Sequence, residues 1–347
     1  MSIKLLLVED NEDDRKGFHQ SVDRFNHENG TEVSIVECKT LDDALGRIDR
    51  SFDGAVIDMK LGDKGGEGNE ILKLVDEWNL RMPIVVLTGT PSEADHAYVH
   101  IDVQKKGEAD NLLILEDFRQ IHASGLTKVM GARGIFEKSL SDVYKNNILN
   151  QKAAWKAYGV ADSEKSEKAL MRHVLNHLIQ MVDLDEESCV PEEFYIYPPV
   201  GEALRTGSVV SPRGARDSYL VMNPLCDLTL RGNGEFNARM IMLCKISTLA
   251  ECEAHLPANK QNAAGKKSLK DNLDGNKKNS YHAVPNTAFF EGGYIDFESA
   301  TSVPKAEFMK AFDKPRLQIS PAFIKDITAR FSAYYGRQGQ PTLSHVD

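Results

Sequence analysis

Apolar runs alternate with amphipathic helical segments through the first 125 residues of the chain. The apolar runs predict five strands, at residues 3–8, 33–38, 54–58, 84–88 and 99–103. The segments between and after them predict helices, at residues 12–29, 41–50, 69–79, about 92–98 and 109–123. Strands that alternate with helices predict an α/β fold with a doubly wound, parallel five-stranded sheet. A site in such a sheet lies at the carboxyl ends of the strands.

The pattern changes twice after residue 125. Residues 126–185 predict a helical connector, with helical apolar spacing over residues 135–157 and 163–182. Short β-like runs after Pro191 predict a second, α+β domain with a small β-barrel-like sheet. Within it, residues 257–280 are rich in Asn, Lys and Gly and predict a long loop, and residues 321–335 predict a final helix. The predicted domains are therefore 1–125, 126–185 and 186–347.

Composition and charge make some classes of protein less plausible for this chain. The net charge is −10, and residues 151–347 carry equal numbers of acidic and basic side chains, so the acidic excess lies in the first 150 residues. This balance disfavours a dedicated nucleic-acid-binding protein. Five scattered cysteines and a first apolar run too short for a signal peptide or membrane span predict a cytoplasmic protein with free thiols and no membrane partner.

Acidic and hydroxyl side chains follow three of the predicted strands. Glu9 and Asp10 end the first strand, Asp58 ends the third and Thr88 ends the fourth. Carboxylates that converge there would hold a hard cation such as Mg²⁺ through oxygen atoms. Asp58 would then be a nucleophile for an incoming phosphoryl group, and Thr88 could hydrogen-bond a phosphoryl oxygen. A lysine would be needed to balance the remaining negative charge.

The stretches L-L-L-V-E-D-N, A-V-I-D-M-K-L-G and I-V-V-L-T-G-T, in this order and spacing, resemble the receiver domain of two-component response regulators. The resemblance implies a flavodoxin-like fold, Mg²⁺ bound by Glu9, Asp10 and Asp58, and phosphorylation of Asp58 by a histidine kinase. It also implies that Lys60 offers its backbone carbonyl to the metal. Gly62 stands where the family often has proline, which affects the shape of the loop more than the chemistry.

Two segments compete to supply the receiver lysine. G-A-R-G-I-F-E-K, ending in Lys138, resembles the stretch before that lysine but would require an inserted strand and helix. V-H-I-D-V-Q-K-K-G follows a predicted strand directly and favours Lys105, with Lys106 open as a one-residue shift that would reverse the side-chain direction. Asp102 and Val103 stand just before it, so the aromatic residue with which many receivers report phosphorylation is missing. His100 and Tyr98 are interpreted as strand or surface residues rather than as substitutes for it.

The second half contains no recognisable catalytic or nucleotide-binding motif. S-Y-L-V-M-N-P-L-C-D-L and S-Y-H-A-V-P resemble a module of bacterial signalling and anti-phage gene clusters. A zinc site made of Cys226, Cys244, Cys252 and His255 is disfavoured, because structural zinc sites use two close pairs of ligands. The preferred interpretation of these cysteines is that they are buried free thiols. A nucleophilic Cys226 with His282 as its base is also disfavoured. Lysines at 260, 266, 267, 270, 277 and 278 are interspersed with acids and predict a solvated loop.

Three functional hypotheses follow. The first is a signalling protein rather than an enzyme: a response regulator, or a phosphate sink that drains the kinase in a defensive two-component system. Its partners would be a histidine kinase and a second response regulator or effector protein, and the resemblance also allows a homodimer. The second hypothesis is an enzymatic output in residues 190–340, and the third is nucleic-acid binding through residues 257–280.

Overall fold

Five parallel strands form the sheet of the first half of the chain. The computed structural model describes residues 2–62, 65–94, 101–183, 188–232 and 234–337. The chain divides into two compact units, Met1–Asp185 and Glu186–Asp347. The strands of the first unit are β1 (Ser2–Val8), β2 (Glu32–Cys38), β3 (Gly54–Ile57), β4 (Ile84–Thr88) and β5 (Ile101–Lys105). Their order in the sheet is β2-β1-β3-β4-β5, which is the flavodoxin-like order.

Helices cover both faces of this sheet. They are α1 (Glu12–Asn29), α2 (Leu41–Arg47), α3 (Gly68–Glu77) and α4 (Asn111–Ser124). Phe18 of α1 and Phe118 of α4 pack with Leu5 on one face, and Ile71 of α3 packs with Ile57 on the other. The strands are apolar on both sides because both faces are buried, as in other parallel sheets. The predicted doubly wound α/β fold is confirmed.

Short polar side chains set where two of these helices begin. The Asn11 side chain accepts hydrogen bonds from the backbone N–H groups of Asp13 (2.8 Å) and Asp14 (3.2 Å) and so caps α1. The same helix ends at Gly30, whose φ of 59° favours glycine. Thr40 caps α2 in the same way, since its hydroxyl accepts from the N–H of Asp43 at 3.2 Å. The start of α1 therefore lies directly after the acidic end of β1.

The remaining helices of the first unit follow α4 in a continuous series. They are α5 (Leu126–Met130), α6 (Ile135–Val143), α7 (Lys152–Ala161) and α8 (Ser163–Asp183), with a π-helical turn at Tyr144–Ile148 and a 3₁₀ turn at Leu149–Gln151 between α6 and α7. Val143, Ile148 and Leu178 form a small core of their own with Trp155. The helical character predicted for residues 135–157 and 163–182 is confirmed, and the boundary at residue 125 stays a prediction.

The second unit contains a seven-stranded antiparallel sheet. Its order is β10-β11-β9-β8-β7-β12-β6, and the sheet is curled like half a barrel. The strands are β6 (Tyr195–Ile196), β7 (Ser208–Val210), β8 (Ser218–Val221), β9 (Met240–Ser247), β10 (Tyr281–Val284), β11 (Gly293–Pro304) and β12 (Leu317–Ile319). The predicted α+β domain with a small β-barrel-like sheet is confirmed.

Five α-helices lie in the described part of this unit. They are α9 (Leu225–Leu228), α10 (Leu249–Ala254), α11 (Ala263–Asp274), α12 (Lys305–Ala311) and α13 (Pro321–Tyr335). Ile327 of α13 packs with Phe297 in one core, and Phe308 of α12 packs with Leu243 in another. The long loop predicted at 257–280 is wrong, because α11 occupies its middle: Asn262 caps this helix, and Leu269 and Leu273 bury its apolar side.

Candidate functional site

Three carboxylates meet at the carboxyl edge of the parallel sheet. Glu9 and Asp10 follow β1, and Asp58 follows its neighbour β3, where the Asp58 N–H donates to the carbonyl of Val8 at 2.9 Å. One oxygen from each carboxylate lies within 4.8 Å of the others. Glu9 and Asp58 are only 4% and 5% exposed, whereas Asp10 is exposed. The structure thus brings together the acidic residues predicted from the sequence.

Among the described residues, Lys106 is the one whose ammonium group contacts these carboxylates. Its Nζ lies 2.8 Å from Asp58 Oδ2, 2.7 Å from Glu9 Oε2 and 3.0 Å from Asp14 Oδ2. Lys105, the predicted lysine, instead pairs with Glu108 on the surface. The choice of Lys105 is therefore wrong for the geometry of the site, which places the one-residue alternative, Lys106, beside the acids.

The position of the end of β5 explains this correction. The strand runs to Lys105, which pairs with Thr88 in the sheet, whereas the sequence pattern places its end at residue 103. The backbone N–H of Lys106 donates to the Thr88 carbonyl at 2.9 Å, and a turn follows at Gly107 with φ 83°. Because neighbouring side chains of a strand point to opposite sides, Lys105 and Lys106 cannot both face the acids. Lys138 lies on α6 and makes no ion pair within the described part of the chain.

Burial and ion pairing set the charges of this cluster. Burial raises the pKa of the Glu9 carboxyl, and the hydrogen bond from Lys106 offsets part of that effect. Burial alone would lower the pKa of Lys106, but its hydrogen bonds with Asp58 and Glu9 outweigh burial and raise that pKa above its usual value. Lys106 is therefore a cation at neutral pH, fixed between two buried carboxylates.

Arg15 is a site residue that the sequence pattern does not reveal. It lies in α1 and is buried, and its guanidinium donates to the backbone carbonyls of Glu9 (2.9 Å) and Asp10 (2.7 Å). Its Nε lies 3.2 Å from Glu37 of β2. These contacts fix the backbone that carries the acidic pair. The only signal in the sequence is a charged residue one turn into a helix that begins just after the acids.

Thr88 and Lys60 lie at the same edge of the sheet. Thr88 is fully buried at the end of β4, and its hydroxyl accepts a hydrogen bond from the N–H of Thr90 at 3.3 Å. The Lys60 N–H donates to Asp58 Oδ1 at 3.3 Å. The roles predicted for the Thr88 hydroxyl and the Lys60 carbonyl stay predictions. Tyr98 and His100 lie outside the described residues.

Gly68 holds the backbone of Asp58 from the other side. It is the first residue of α3, and its N–H donates to the carbonyl of Met59 at 3.1 Å. A Cβ at this position would lie 2.7 Å from the Asp58 carbonyl oxygen and 2.9 Å from Met59 Cα, closer than a side chain tolerates. Glycine therefore lets α3 begin directly against the residue that carries the central carboxylate.

The donor set at this edge fits a hard divalent cation. Glu9, Asp10 and Asp58 offer only oxygen atoms, which Mg²⁺ prefers. The small cavity there, of about 180 Å³, is lined by Glu9, Asp13, Asp14 and Asp58 and by the cation Lys106. Among the described residues that line the cavity, four carboxylates against one ammonium leave an excess of negative charge that a divalent cation would reduce. The oxygen-only donor set therefore suits a hard divalent cation.

The cysteines of the second unit do not converge on one point. Cys244 lies in β9 and Cys252 in α10, and both are buried, as predicted. Cys226 is exposed on the short helix α9, so the prediction that its thiol is buried is wrong. Over the described residues, the converging group of three or more metal-ligand side chains is the acidic one, not a set with His255.

Both ring nitrogens of His282 have partners other than Cys226. It is buried in β10, where one ring nitrogen lies 3.1 Å from Asp326 Oδ2 and the other 2.7 Å from the Ala283 carbonyl. Burial lowers the pKa of His282, and the contacts with Ala283 and Asp326 act against that effect. Cys226 itself lies 3.7 Å from Asp227 Oδ1. These contacts give His282 a structural place in the core beside α13.

Thiol labelling should separate the five cysteines into two classes. Burial raises the pKa of Cys38 and Cys252 to about 11 and that of Cys244 to about 12. At pH 8 their thiolate fractions are roughly 100-fold or more below that of an ordinary thiol, and their sulfur atoms are also inaccessible. We expect only Cys189 and Cys226 to react rapidly with an aromatic disulfide reagent. In denaturant all five should react at once, and a third rapid thiol in the folded protein would contradict the assignment.

None of the described helices is long and apolar enough to cross a membrane. No protein-family model matches the chain, and no curated protein matches it.

Solved structures similar to this chain are response-regulator receiver domains. The CheY-like receiver domain of Methylobacillus flagellatus is 21% identical over 35% of this chain and 98% of its own, with a TM-score of 0.28. The receiver domain of Methanospirillum hungatei JF-1 is 21% identical over 36% of this chain and 96% of its own, with a TM-score of 0.28. Response regulator DrrB of Thermotoga maritima, an OmpR/PhoB homologue, is 18% identical over 36% of this chain and 54% of its own, with a TM-score of 0.28.

The fold of the first unit is established by its own topology. Five parallel strands in the order β2-β1-β3-β4-β5, with helices on both faces, form the arrangement also found in CheY. The acidic cluster lies at the carboxyl ends of β1 and β3, where sites of this fold occur. The predicted flavodoxin-like fold of the N-terminal part of the chain is thereby confirmed.

Proposed function

We propose that the chain is a response regulator that accepts a phosphoryl group on Asp58 from a histidine kinase. The observation that carries the proposal is the pairing of the buried Asp58 carboxylate with the Lys106 ammonium at 2.8 Å, beside Glu9 and Asp10. A nucleophilic carboxylate, a fixed cation and further carboxylates are the parts that phosphoryl transfer to an aspartate requires. In this proposal the site accepts a phosphoryl group and does not provide an enzymatic output.

The transfer follows from the positions of these side chains. An Asp58 oxygen attacks the phosphorus of a phosphorylated histidine, a P–O bond forms, and the P–N bond breaks with its electron pair on the imidazole nitrogen, which takes a proton from solvent. Lys106 stays charged, because its pKa is raised, and it can stabilise the negative charge on the phosphoryl oxygens. Thr88, buried at the end of β4, would donate its hydroxyl to a phosphoryl oxygen.

Glu9, Asp10 and Asp58, with the carbonyl of Lys60, would hold Mg²⁺. The ion would supply positive charge that reduces repulsion between the carboxylates and the incoming phosphoryl group. Arg15 keeps the first two ligands in place through their backbone carbonyls. Asp13 and Asp14, in the first turn of α1, add negative charge beside them.

Phosphorylation by a small donor tests the proposal. The protein is incubated with acetyl phosphate or phosphoramidate and Mg²⁺, and its intact mass is measured. We expect the added mass of one phosphoryl group, in an acid-stable, base-labile form that requires Mg²⁺. Absence of the product with both small donors and with a cognate phosphorylated kinase would contradict the proposal.

A phosphate-sink role is the form of this function that the residues favour. Asp102 and Val103 occupy β5 where many receivers carry an aromatic switch residue, so the usual means of relaying phosphorylation is missing. The sink would drain a kinase shared with a second response regulator or effector, in the cytoplasm, within an anti-phage system. When this protein is mixed with the kinase and the second regulator, it should lower the phosphorylation of the second regulator. The second unit would bind a protein partner.

The exposed side of α8 supports a homodimer. Met171, Leu175, Ile179 and Val182 follow one another at intervals of four, four and three residues, and they are 46–70% exposed. Leu178, on the adjoining side of the helix, packs against Trp155. The first unit therefore covers only part of the apolar surface of α8 and leaves these four side chains exposed. We propose that a second copy of the same stripe covers the rest, because the spacing suits packing of like helices.

Two acidic substitutions should separate the dimer. In Leu175→Glu with Val182→Glu, like charges would face each other across the stripe, and the protein should sediment as a monomer at concentrations where the unmodified chain is dimeric. Gln180→Glu, on the opposite, exposed side of α8, is the matched control and should leave the dimer intact. A monomeric unmodified protein at high concentration would contradict the proposal.

A further inference from the structure

A groove of about 560 Å³ lies beside α11 in the second unit. Its walls come from the segment before this helix, from one side of the helix itself and from the residues that follow it. The carbonyl of Lys260 would lie 2.0 Å from a Cβ at Gly265, so glycine lets the preceding segment pack directly on the first turn of α11. The far wall is tied to the helix because the Lys277 N–H donates to the Asn272 carbonyl at 2.8 Å.

The charge of this groove has one sign. Among the described residues, Lys260, Lys277 and Lys278 line it, and no aspartate or glutamate does. Across the described residues none of these three lysines forms an ion pair, and Lys278 Nζ lies 4.7 Å over the ring of Tyr281. Three unneutralised ammonium groups around one cavity make it attractive to anions.

The other lysines of this segment differ in their surroundings. Lys266 lies 2.8 Å from Glu253, and Lys270 pairs with Asp274, which also accepts a hydrogen bond from Tyr294. Asp271 and Asp274 are the acids that lie between these lysines in the sequence. Asp274 pairs with Lys270, and neither acid lines the groove. The lysines of this segment therefore fall into two groups. Lys266 and Lys270 have acidic partners, whereas within the described part of the chain the three lysines of the groove do not.

The remaining lining combines polar and apolar groups. Asn259, Asn272 and Ser268 present amide and hydroxyl groups, and Leu256, Pro257 and Ala264 present aliphatic surface. A ligand that fits would carry several negative charges and a part with both apolar faces and hydrogen-bonding edges. A volume of about 560 Å³ lies within the usual range for small-molecule sites.

We propose that this groove binds a phosphate-bearing ligand of nucleotide size, with the phosphates on Lys260, Lys277 and Lys278. Lysine binds phosphate as a point charge, which suits an open groove with three ammonium groups. The aliphatic wall at Leu256, Pro257 and Ala264 would take the base. The site lies in the second unit and does not rest on phosphorylation of Asp58.

Binding of ATP and of a short RNA tests this site. Calorimetric titrations use the full chain in EDTA, so that metal-dependent binding at the acidic edge does not contribute. ATP should bind saturably to one site, and Lys260→Ala, Lys277→Ala and Lys278→Ala together should weaken it about tenfold or more. An oligouridine of about ten nucleotides, a length typical of single-strand sites, shows whether the phosphates come from a free nucleotide or from a strand.

The matched control removes the same charge from the same segment. Lys266→Ala, Lys267→Ala and Lys270→Ala together lie outside the groove and should leave the affinity within about threefold, since only general attraction is lost. Equal weakening in both triple variants would mean diffuse attraction and would overturn the proposal, as would absence of binding of both probes. All six side chains are on the surface, and circular dichroism should show both variants folded.

Discussion

Replacing Asp58 with Asn should abolish phosphorylation of the chain. The substitution keeps the size of the side chain but removes the nucleophilic carboxylate, so no acyl phosphate can form at this position. With acetyl phosphate and Mg²⁺, we expect the unmodified protein to gain one phosphoryl group and Asp58→Asn to gain none. Intact-mass measurement and the base lability of the product provide the readout. Folding should be retained, because an amide can still accept a hydrogen bond from Lys106.

Asp102→Asn is the matched control for this experiment. Asp102 lies on the exposed side of β5 in the same sheet, and its Oδ2 accepts a hydrogen bond from Gln104. Its loss should leave the rate and extent of phosphorylation unchanged. Label that persists in Asp58→Asn would show that another residue accepts the phosphoryl group and would refute the role of Asp58. Loss of label in both variants would point to a general effect on the sheet.

Replacing Lys106 should slow phosphorylation far more than replacing Lys105. Lys106→Met keeps most of the length of the side chain and removes the ammonium that lies 2.8 Å from Asp58. Removal of one preorganised charge that stabilises a transition state typically costs about 10²–10³ in rate. We therefore expect a loss of at least ~100-fold in the rate of acyl-phosphate formation. Lys105→Met removes a surface ion pair with Glu108 and should change the rate by less than about twofold.

The stability of the Lys106 variant needs its own measurement. Without Lys106, Glu9 and Asp58 are two buried carboxylates with no ammonium between them, and their mutual repulsion should lower the free energy of unfolding. Thermal unfolding, with and without Mg²⁺, shows whether the domain remains folded and whether the cation restores part of the loss. A rapid Lys106→Met variant, or a Lys105→Met variant as slow as expected for Lys106→Met, would refute the assignment of the lysine.

Local sequence determines much of this fold. The 3.6-residue pattern places α1 at Glu12–Asn29 and α13 at Pro321–Tyr335, and both agree with the structure. Their ends are local events: Asn11 caps α1, and Pro321 begins α13. The acidic pair after β1 and Asp58 after β3 are likewise predictable, because a side chain at the end of a parallel strand reaches the same edge whatever the rest of the chain does.

Predictions from the sequence alone are wrong where contacts with other elements determine the local structure. The hydrophobic pattern places the end of β5 at residue 103, but pairing with β4 extends it to Lys105. Lys105 is the last paired residue of β5, and the next residue, Lys106, directs its side chain toward Asp58. The polar composition of residues 257–280 predicts a loop, yet burial of Leu269 and Leu273 against Tyr281 and Tyr294 stabilises a helix there.

Periodicity and the order of strands thus predict the flavodoxin-like fold, the acidic pair and Asp58 from the sequence. Three features follow from packing instead: Lys106 lies against the buried carboxylates, Arg15 fixes the acidic backbone, and three lysines near α11 share one groove. These are contacts between residues far apart in the chain or differing by one position in register. Their geometry follows from packing, which periodicity does not encode.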